Sequence, residues 1–133
     1  MDRTILVHLT VGERTSADAL ASLAELEALA RASGAQVVRK VFQTRAATDA
    51  RTLIGSGKIE ELKSLAKETG AEVILFDQDL KPSQQRNLEK ILEMRVIDRT
   101  QLILDIFARR ARSNEGKLQV ELAQLSYLLP RLA

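Results

Sequence analysis

The sequence contains no cysteine and only one histidine, His8, among its 133 residues. These absences exclude thiol catalysis, cysteine-bound zinc and iron–sulfur clusters, and they leave too few imidazoles for a histidine-based metal site or catalytic triad. Aromatic residues make up 3% of the chain, which is too few for the stacking surfaces that bind single-stranded nucleic acid. We therefore expect no catalytic residue, metal ion or cofactor in this chain.

Neither sign of charge dominates, and long hydrophobic runs are missing. Twenty basic and 18 acidic side chains give a net charge of +2. A polyanion could therefore bind only at local clusters of basic residues, and not through the overall charge of the chain. The first ten residues lack the long apolar region and cleavage site of a signal peptide, and no segment predicts a membrane span. With 45% apolar and 29% charged residues, the composition indicates a globular protein, which we expect in the cytoplasm.

Short apolar runs alternate with helical patterns along residues 1–98. The predicted strands are residues 5–9, 36–44, 73–76 and 96–97, and the predicted helices begin near residues 17, 57 and 82. Ser16 is placed to cap the first helix, Gly34 to end it and Pro82 to begin the third. The order β-α-β-α-β-α-β predicts an α/β fold, a small and mainly parallel four-stranded sheet with helices on both faces.

Residues 99–133 have a different character and are predicted to form a helical subdomain after the α/β subdomain of residues 1–98. Five leucines recur there at steps of four and three residues, which is typical of a helix packed along another helix. We call this set the leucine stripe: Leu118, Leu122, Leu125, Leu129 and Leu132. A single helix over residues 114–133 would be about 30 Å long. We expect it to project beyond the sheet and to expose the stripe unless another segment or a second copy covers it.

The densest group of basic residues lies at the predicted bend between two helices. We call it the basic bend: Arg109, Arg110, Arg112 and Lys117. Arginine and lysine at such a bend can bind the phosphates of folded RNA. Alternatively, Arg109 and Arg112 pair with Asp105 and Glu115, or bond to helix-end carbonyls, and the bend is an ordinary solvated surface.

A second phosphate-binding candidate precedes the second helix. We call it the glycine loop: Gly55, Ser56, Gly57 and Lys58. Glycines before a helix can present backbone N–H groups to a phosphate. However, Thr52 and Ile59 stand where the Walker A motif requires its first glycine and its magnesium-binding Ser or Thr. A tight turn into a helix is the simpler interpretation. Asp77 and Asp79, directly after the third strand, could share a divalent ion, but a strand-to-helix turn is the simpler interpretation there too.

Three segments resemble the amino-terminal region of the HflX family of ribosome-associated GTPases. They are LIGSGKIEEL at residues 53–62, FDQDLKPSQQRNLE at residues 76–89, and DRTQLILDIFARRARSNEGKLQVELAQL at residues 98–125. The resemblance implies an α/β subdomain, the first part of a long helical hairpin, and then a P-loop GTPase domain that binds GTP and Mg²⁺. It further implies docking on the large ribosomal subunit, on its rRNA and ribosomal proteins, to split or rescue stalled ribosomes.

The sequence contains no Gly-x-x-x-x-Gly-Lys-Ser/Thr, Asp-x-x-Gly or Asn-Lys-x-Asp motif, so we expect GTP hydrolysis in a domain not present in this chain. By resemblance, the basic bend is the ribosome contact, and the leucine stripe packs on the second hairpin helix near the GTPase domain. Two other functions stay open. One is a small nucleotide-binding module that uses the glycine loop for ATP or GTP, and the other is self-association through the leucine stripe.

Overall fold

The structure, a computed structural model, describes residues 2–12 and 16–132. Its strands are β1 (Arg3–Val11), β2 (Gln36–Arg45), β3 (Val73–Phe76) and β4 (Arg95–Asp98). Its helices are α1 (Ser16–Ala32), α2 (Ser56–Thr69), α3 (Pro82–Leu92), α4 (Arg99–Arg110) and α5 (Asn114–Leu128), and a 3-10 turn over Leu129–Arg131 comes after them. The predicted α/β fold is confirmed.

The sheet has the strand order β2-β1-β3-β4, and every neighbouring pair is parallel. From β1 the chain crosses to β2, at one edge of the sheet. From β2 it crosses back past β1 to β3. The carboxyl ends of β1 and β3 therefore meet where the strand order reverses, which is the place where open α/β sheets bring polar side chains together.

Helices cover both faces of the sheet because alternate residues of β1 point to opposite sides. Ile5 and Val7 face a core built with α2 and α3. Leu6 faces a second core, in which α1 and α4 contribute Leu23 and Leu102 among others. This second core anchors α4 on the sheet, so that α4 forms the base against which α5 packs.

The local signals at the helix ends behave as the sequence predicts. Gly34 comes after α1 with a φ of 94°, which is the left-handed conformation that glycine accommodates without a steric penalty. Pro82 is the first residue of α3, where its missing N–H has no intrahelical partner to lose. The cap predicted at Ser16 depends on a side chain outside the described residues.

The predicted single helix over residues 114–133 is wrong, and so is its projection away from the sheet. The α-helical part ends at Leu128, two residues before Pro130, because proline has no N–H to donate and its ring clashes with the preceding turn. The chain then contacts the sheet domain: the carbonyl of Pro130 accepts a 2.8 Å bond from Arg86 Nη1, and Arg131 Nη2 donates to the carbonyl of Leu80 at 2.7 Å. Among the described helices, none is long and apolar enough to cross a membrane.

Candidate functional site

The basic bend lies where α4 ends and α5 begins. Ser113 caps α5, since its Oγ accepts a 2.9 Å hydrogen bond from the backbone N–H of Gly116. A methyl group on Gly116 would lie 2.9 Å from the same Oγ, so glycine leaves room for the cap. The start of α5 is therefore fixed by a local hydrogen bond.

The four cations of the basic bend lie together but differ in their contacts. Arg109 Nη1 donates to the carbonyl of Ser33 at 2.6 Å, which ties the end of α4 to the turn after α1. The other three side chains are exposed and form no ion pair within the described residues; they are those of Arg110, Arg112 and Lys117. Asp105 accepts from Gln124 Nε2 at 3.1 Å instead of from Arg109. Three cations thus remain available to an anionic partner.

The leucine stripe faces solvent. Its five side chains are between 52% and 66% exposed. The opposite side of α5 makes the contacts with α4 and the sheet domain, through Gln124, Tyr127 and, beyond the helix, Arg131. The stripe is thus an unpartnered apolar surface in the described part of the chain, as the leucine spacing predicts.

Asp98 joins α4 and α5, which together form the helical arm, to the sheet domain. Its side chain is fully buried, and it accepts hydrogen bonds from the backbone N–H of Gln101 at 3.0 Å, from that of Leu80 at 2.9 Å, and from the hydroxyl of Tyr127. Burial and, after it, the Asp98 carboxylate raise the pKa of Tyr127. The Arg131 guanidinium stacks 3.5 Å above the Tyr127 ring.

Asp77, at the carboxyl end of β3, forms a second junction with the arm. One carboxylate oxygen lies 2.6 Å from His8 Nδ1 and accepts from Ser22 Oγ at 2.6 Å, and the other accepts from Arg99 Nε and Nη2 at 2.9 and 2.7 Å. Burial alone would raise the pKa of Asp77, but the bonds from Ser22, His8 and Arg99 outweigh it and lower that pKa. Arg99, the first residue of α4, also contacts Glu25 at 3.3 Å.

Sequence reasoning assigned no role to His8, which is buried and bonded to Asp77. The sequence places His8 in the first strand and Asp77 directly after the third, but only the structure shows that these two strands are neighbours. The turn interpretation of Asp79 agrees with its 2.6 Å bond from Thr100 Oγ1. Within residues 2–12 and 16–132, no group of three or more His, Cys, Asp and Glu residues could hold a metal ion.

The glycine loop lies at the other end of the sheet from the basic bend. The backbone N–H of Gly55 is already bonded to Gln43 Oε1 at 3.1 Å, and Lys58 Nζ lies 2.6 Å from Glu61. A groove of about 570 Å³ beside the loop is lined by residues that include Arg45 and Arg51. The Gly55 N–H and the Lys58 ammonium thus already have partners, and Thr52 and Ile59 stand where a Walker A motif requires other residues, so the loop lacks a Walker A site for GTP with Mg²⁺. The sheet separates the loop from the basic bend.

Two protein families match most of the chain. The family described as GTP-binding GTPase N-terminal matches residues 20–108, and the family described as GTP-binding GTPase Middle Region matches residues 110–133. The chain is 47% identical over 131 residues to a protein named GTPase HflX from Escherichia coli K12, covering 98% of this chain and 30% of that protein. It is 54% identical over 112 residues to GTPase HflX of Alkalihalophilus pseudofirmus, covering 84% and 26%.

Solved structures show the same likeness. A GTP-binding protein from the archaeon Sulfolobus solfataricus, solved in complex with GDP, superimposes with a TM-score of 0.71 at 25% identity, covering 98% of this chain and 38% of that one. The chain spans 30% and 26% of the length of the two GTPase HflX relatives named above.

Proposed function

The chain belongs to the HflX family of GTPases, and we propose that it is the ribosome-docking region of a longer GTP-binding protein. Its task is to bind the large ribosomal subunit and to help split or rescue stalled ribosomes. The observation that carries this proposal is the basic bend, where one anchored arginine and three unpaired cations are presented together. An rRNA surface offers phosphates at the density that such a group can bind.

The chemistry of the bend suits phosphate. Arg110 and Arg112 can each donate two parallel hydrogen bonds to phosphate oxygens, and Lys117 adds a third charge. Arg109 is held by Ser33 and fixes the position of the group on the sheet domain. Because the chain as a whole carries a charge of only +2, this local patch and not the overall field would attract the ribosome.

The junctions at Asp77 and Asp98 support a mechanical role. Two buried carboxylates connect the sheet domain to the first turn of α4, and Asp98 also holds α5 through Tyr127. A helical arm attached in this way moves with the sheet domain as one body. Docking would therefore place the arm against the ribosome, and the work on the stalled particle would be steric displacement without covalent chemistry.

GTP and Mg²⁺ belong, in this proposal, to the remainder of the longer protein, and nucleotide binding there would govern ribosome affinity. Support for this assignment is that the glycine loop lacks the Walker A residues at Thr52 and Ile59 and that Lys58 is paired with Glu61. The leucine stripe would pack against the second hairpin helix and the GTPase domain of the same protein. A ribosomal partner also implies a cytoplasmic location.

The glycine loop gives a direct test against the alternative of a nucleotide-binding module. We expect Lys58→Ala to leave ribosome binding unchanged, because Lys58 pairs with Glu61 and lies far from the basic bend. Isothermal titration with GTP and with ATP should detect no binding by either the wild-type chain or the variant. Binding that Lys58→Ala abolishes would favour the alternative.

Co-sedimentation with separated ribosomal subunits tests the proposal itself. The chain is expected to pellet with large subunits in a saturable manner and not with small subunits. The variant Arg110→Gln/Arg112→Gln/Lys117→Gln should lose most of this binding. A matched control, Lys63→Gln/Lys67→Gln/Lys90→Gln, removes the same charge from α2 and α3 and should bind as the wild type does. Equal losses in both variants would contradict a specific role for the bend.

A further inference from the structure

The two edge strands of the sheet differ in length and in how far side chains cover their outer backbone groups. At the β4 edge, side chains of α3 cover the backbone: Gln85 Nε2 donates to the carbonyl of Val96 at 2.7 Å, and the N–H of Val96 donates to Glu89 Oε2 at 3.4 Å. β4 is also only four residues long. Short length and covering side chains are ways in which proteins keep a sheet edge from pairing with another chain.

The β2 edge is longer, and fewer of its backbone groups have side-chain partners in the described chain. β2 is ten residues long, it pairs with β1 except at a bulge at Val38, and no other strand of the described chain pairs with it. The backbone bonds at its two ends join Gln36 to Asp2 and Arg45 to Gly12, both on the β1 side. On the outer side, the carbonyl of Val38 accepts from the neighbouring Arg39 side chain. The edge thus presents a row of backbone donors and acceptors to solvent.

The side chains along this edge are basic. β2 carries Arg39, Lys40 and Arg45 and no acidic residue. Arg39 is half exposed and lies 3.9 Å from Glu68, at the limit of an ion pair. Lys40 pairs with Glu27 at 2.8 Å, but Glu27 also binds Arg31, so this one carboxylate does not neutralise both cations.

The two faces of the edge differ in polarity. Arg39 and Arg45 are in register with Ile5 and Val11 of β1, on the side of the sheet that α2 covers. On the α1 side, where Lys40 is paired with its glutamate, Phe42 is 42% exposed.

The exposed apolar surface on the α1 side extends onto the helix. Leu20, which is 58% exposed, lies two turns before Glu27 on the same side of α1. An added strand would therefore meet Arg39 and Arg45 on one face, and the apolar side chains of Phe42 and Leu20 on the other.

We propose that the outer edge of β2 binds an extended, acidic segment of another protein, which joins the sheet as a fifth strand. Main-chain hydrogen bonds would give the affinity, and the alternation of acidic and apolar side chains would give the specificity. A second copy of this chain is disfavoured because the basic side chains of two β2 strands would face each other. RNA is disfavoured because it cannot continue a backbone ladder, and a single exposed aromatic side chain, Phe42, is too little for a base-stacking surface. The inference does not rest on the ribosome-docking proposal.

A ten-residue peptide that alternates Glu and Val is the direct probe, because it presents carboxylates to one face and methyl groups to the other. We expect saturable binding by fluorescence anisotropy and slower hydrogen exchange at backbone amides of β2. Two control peptides should fail: one with Lys in place of every Glu, and one with alternate residues replaced by Pro, which cannot donate to the ladder.

Variants of the chain locate the binding. Arg39→Gln/Arg45→Gln should lower the affinity for the peptide roughly three- to tenfold, as expected for the loss of two exposed ion pairs between chain and peptide. The guanidinium of Arg45 lies against Gly55. Arg39→Gln alone leaves that contact in place and should weaken peptide binding less, but in the same direction. Lys90→Gln/Arg95→Gln removes equal charge near the opposite edge and should bind as the wild type does.

Three results would overturn the proposal. The first is equal binding of the proline-containing peptide, which would show that the ladder is not used. The second is unchanged exchange at β2 amides when the peptide is bound. The third is no saturable binding of the acidic peptide by the folded chain. If a single-stranded RNA decamer binds instead and protects the Arg39 region, the edge is a nucleic-acid surface.

Discussion

At the scale of single residues, two buried carboxylates decide how the sheet domain and the helical arm are joined. Asp77 gathers His8, Ser22 and Arg99 around one side chain. Asp98 accepts from the backbone at the start of α4 and from the loop before α3. Removing one partner from such a buried polar group leaves the others unsatisfied, so these positions are sensitive to substitution.

The lowered pKa of Asp77 predicts a pH dependence of stability. Its carboxylate stabilises the folded chain at pH values above about 4, the usual pKa of an unfolded aspartate, and this contribution is lost as the pH falls through the lower pKa of the folded state. We expect Asp77→Asn to cost roughly 3 kcal/mol at pH 7. The difference in unfolding free energy between the wild type and this variant should narrow as the pH falls from about 4 towards 3.

Urea unfolding of both proteins at several pH values measures this difference in the free energy of unfolding. Other carboxylates titrate in both proteins, so the difference between the two, and not the slope of either, reports on Asp77. A difference of the same size at pH 7 and pH 3 would mean that the charge of Asp77 does not contribute to the stability of the fold.

Substitutions of Asp98 and of Asp79 form a matched pair that tests the Asp98 junction. Asp98→Ala removes the cap of α4 and leaves the donors of Leu80 and Tyr127 unpaired, so we expect a loss of about 3 kcal/mol in the free energy of unfolding. Asp79→Ala removes one exposed bond from Thr100 and should cost less than about 0.5 kcal/mol. Thermal and urea unfolding compare the two, and similar losses would contradict the assignment of the junction to Asp98.

At the scale of elements, the leucine stripe of α5 is an apolar surface without a partner in the described chain. Leu122→Asp/Leu125→Asp places charges on side chains that are more than half exposed, so the fold should keep its stability within about 1 kcal/mol. We expect the wild-type chain to self-associate in sedimentation equilibrium at concentrations where the double variant is monomeric. A variant that unfolds would show that the stripe supports the fold itself, and a variant that associates as the wild type does would place the contact elsewhere.

The elements themselves agree closely with the sequence patterns, with one instructive failure. Apolar strands, Gly34 and Pro82 mark boundaries because their signals are local. The leucine spacing, which continues through Leu129 to Leu132, concealed the break at Pro130. The spacing of apolar residues indicates which side of a helix is apolar. It carries no information about the backbone N–H that proline lacks, and this absence ends the helix. Here the backbone chemistry of Pro130 outweighs a side-chain pattern.

At the scale of the molecule, the basic bend and the glycine loop lie at opposite ends of the sheet, so they cannot form one site. The sequence shows both groups, yet it does not show that Gly55 and Lys58 are already engaged or that Arg109 is anchored. The junction of His8, Asp77 and Arg99 likewise joins residues from three elements far apart in the chain. Such contacts depend on strand order and helix placement, which local patterns do not record.

The salt dependence of binding to large ribosomal subunits is the sharpest test of docking through the basic bend. Each phosphate contact adds roughly 0.9 to the slope of log K against log salt on a duplex, so Arg110→Gln/Arg112→Gln/Lys117→Gln should lower that slope by about 2 to 3. We predict a steep slope for the wild-type chain and this reduction for the variant. Equal slopes for the two proteins, or no binding by the folded wild-type chain at low salt, would contradict ribosome docking through these cations.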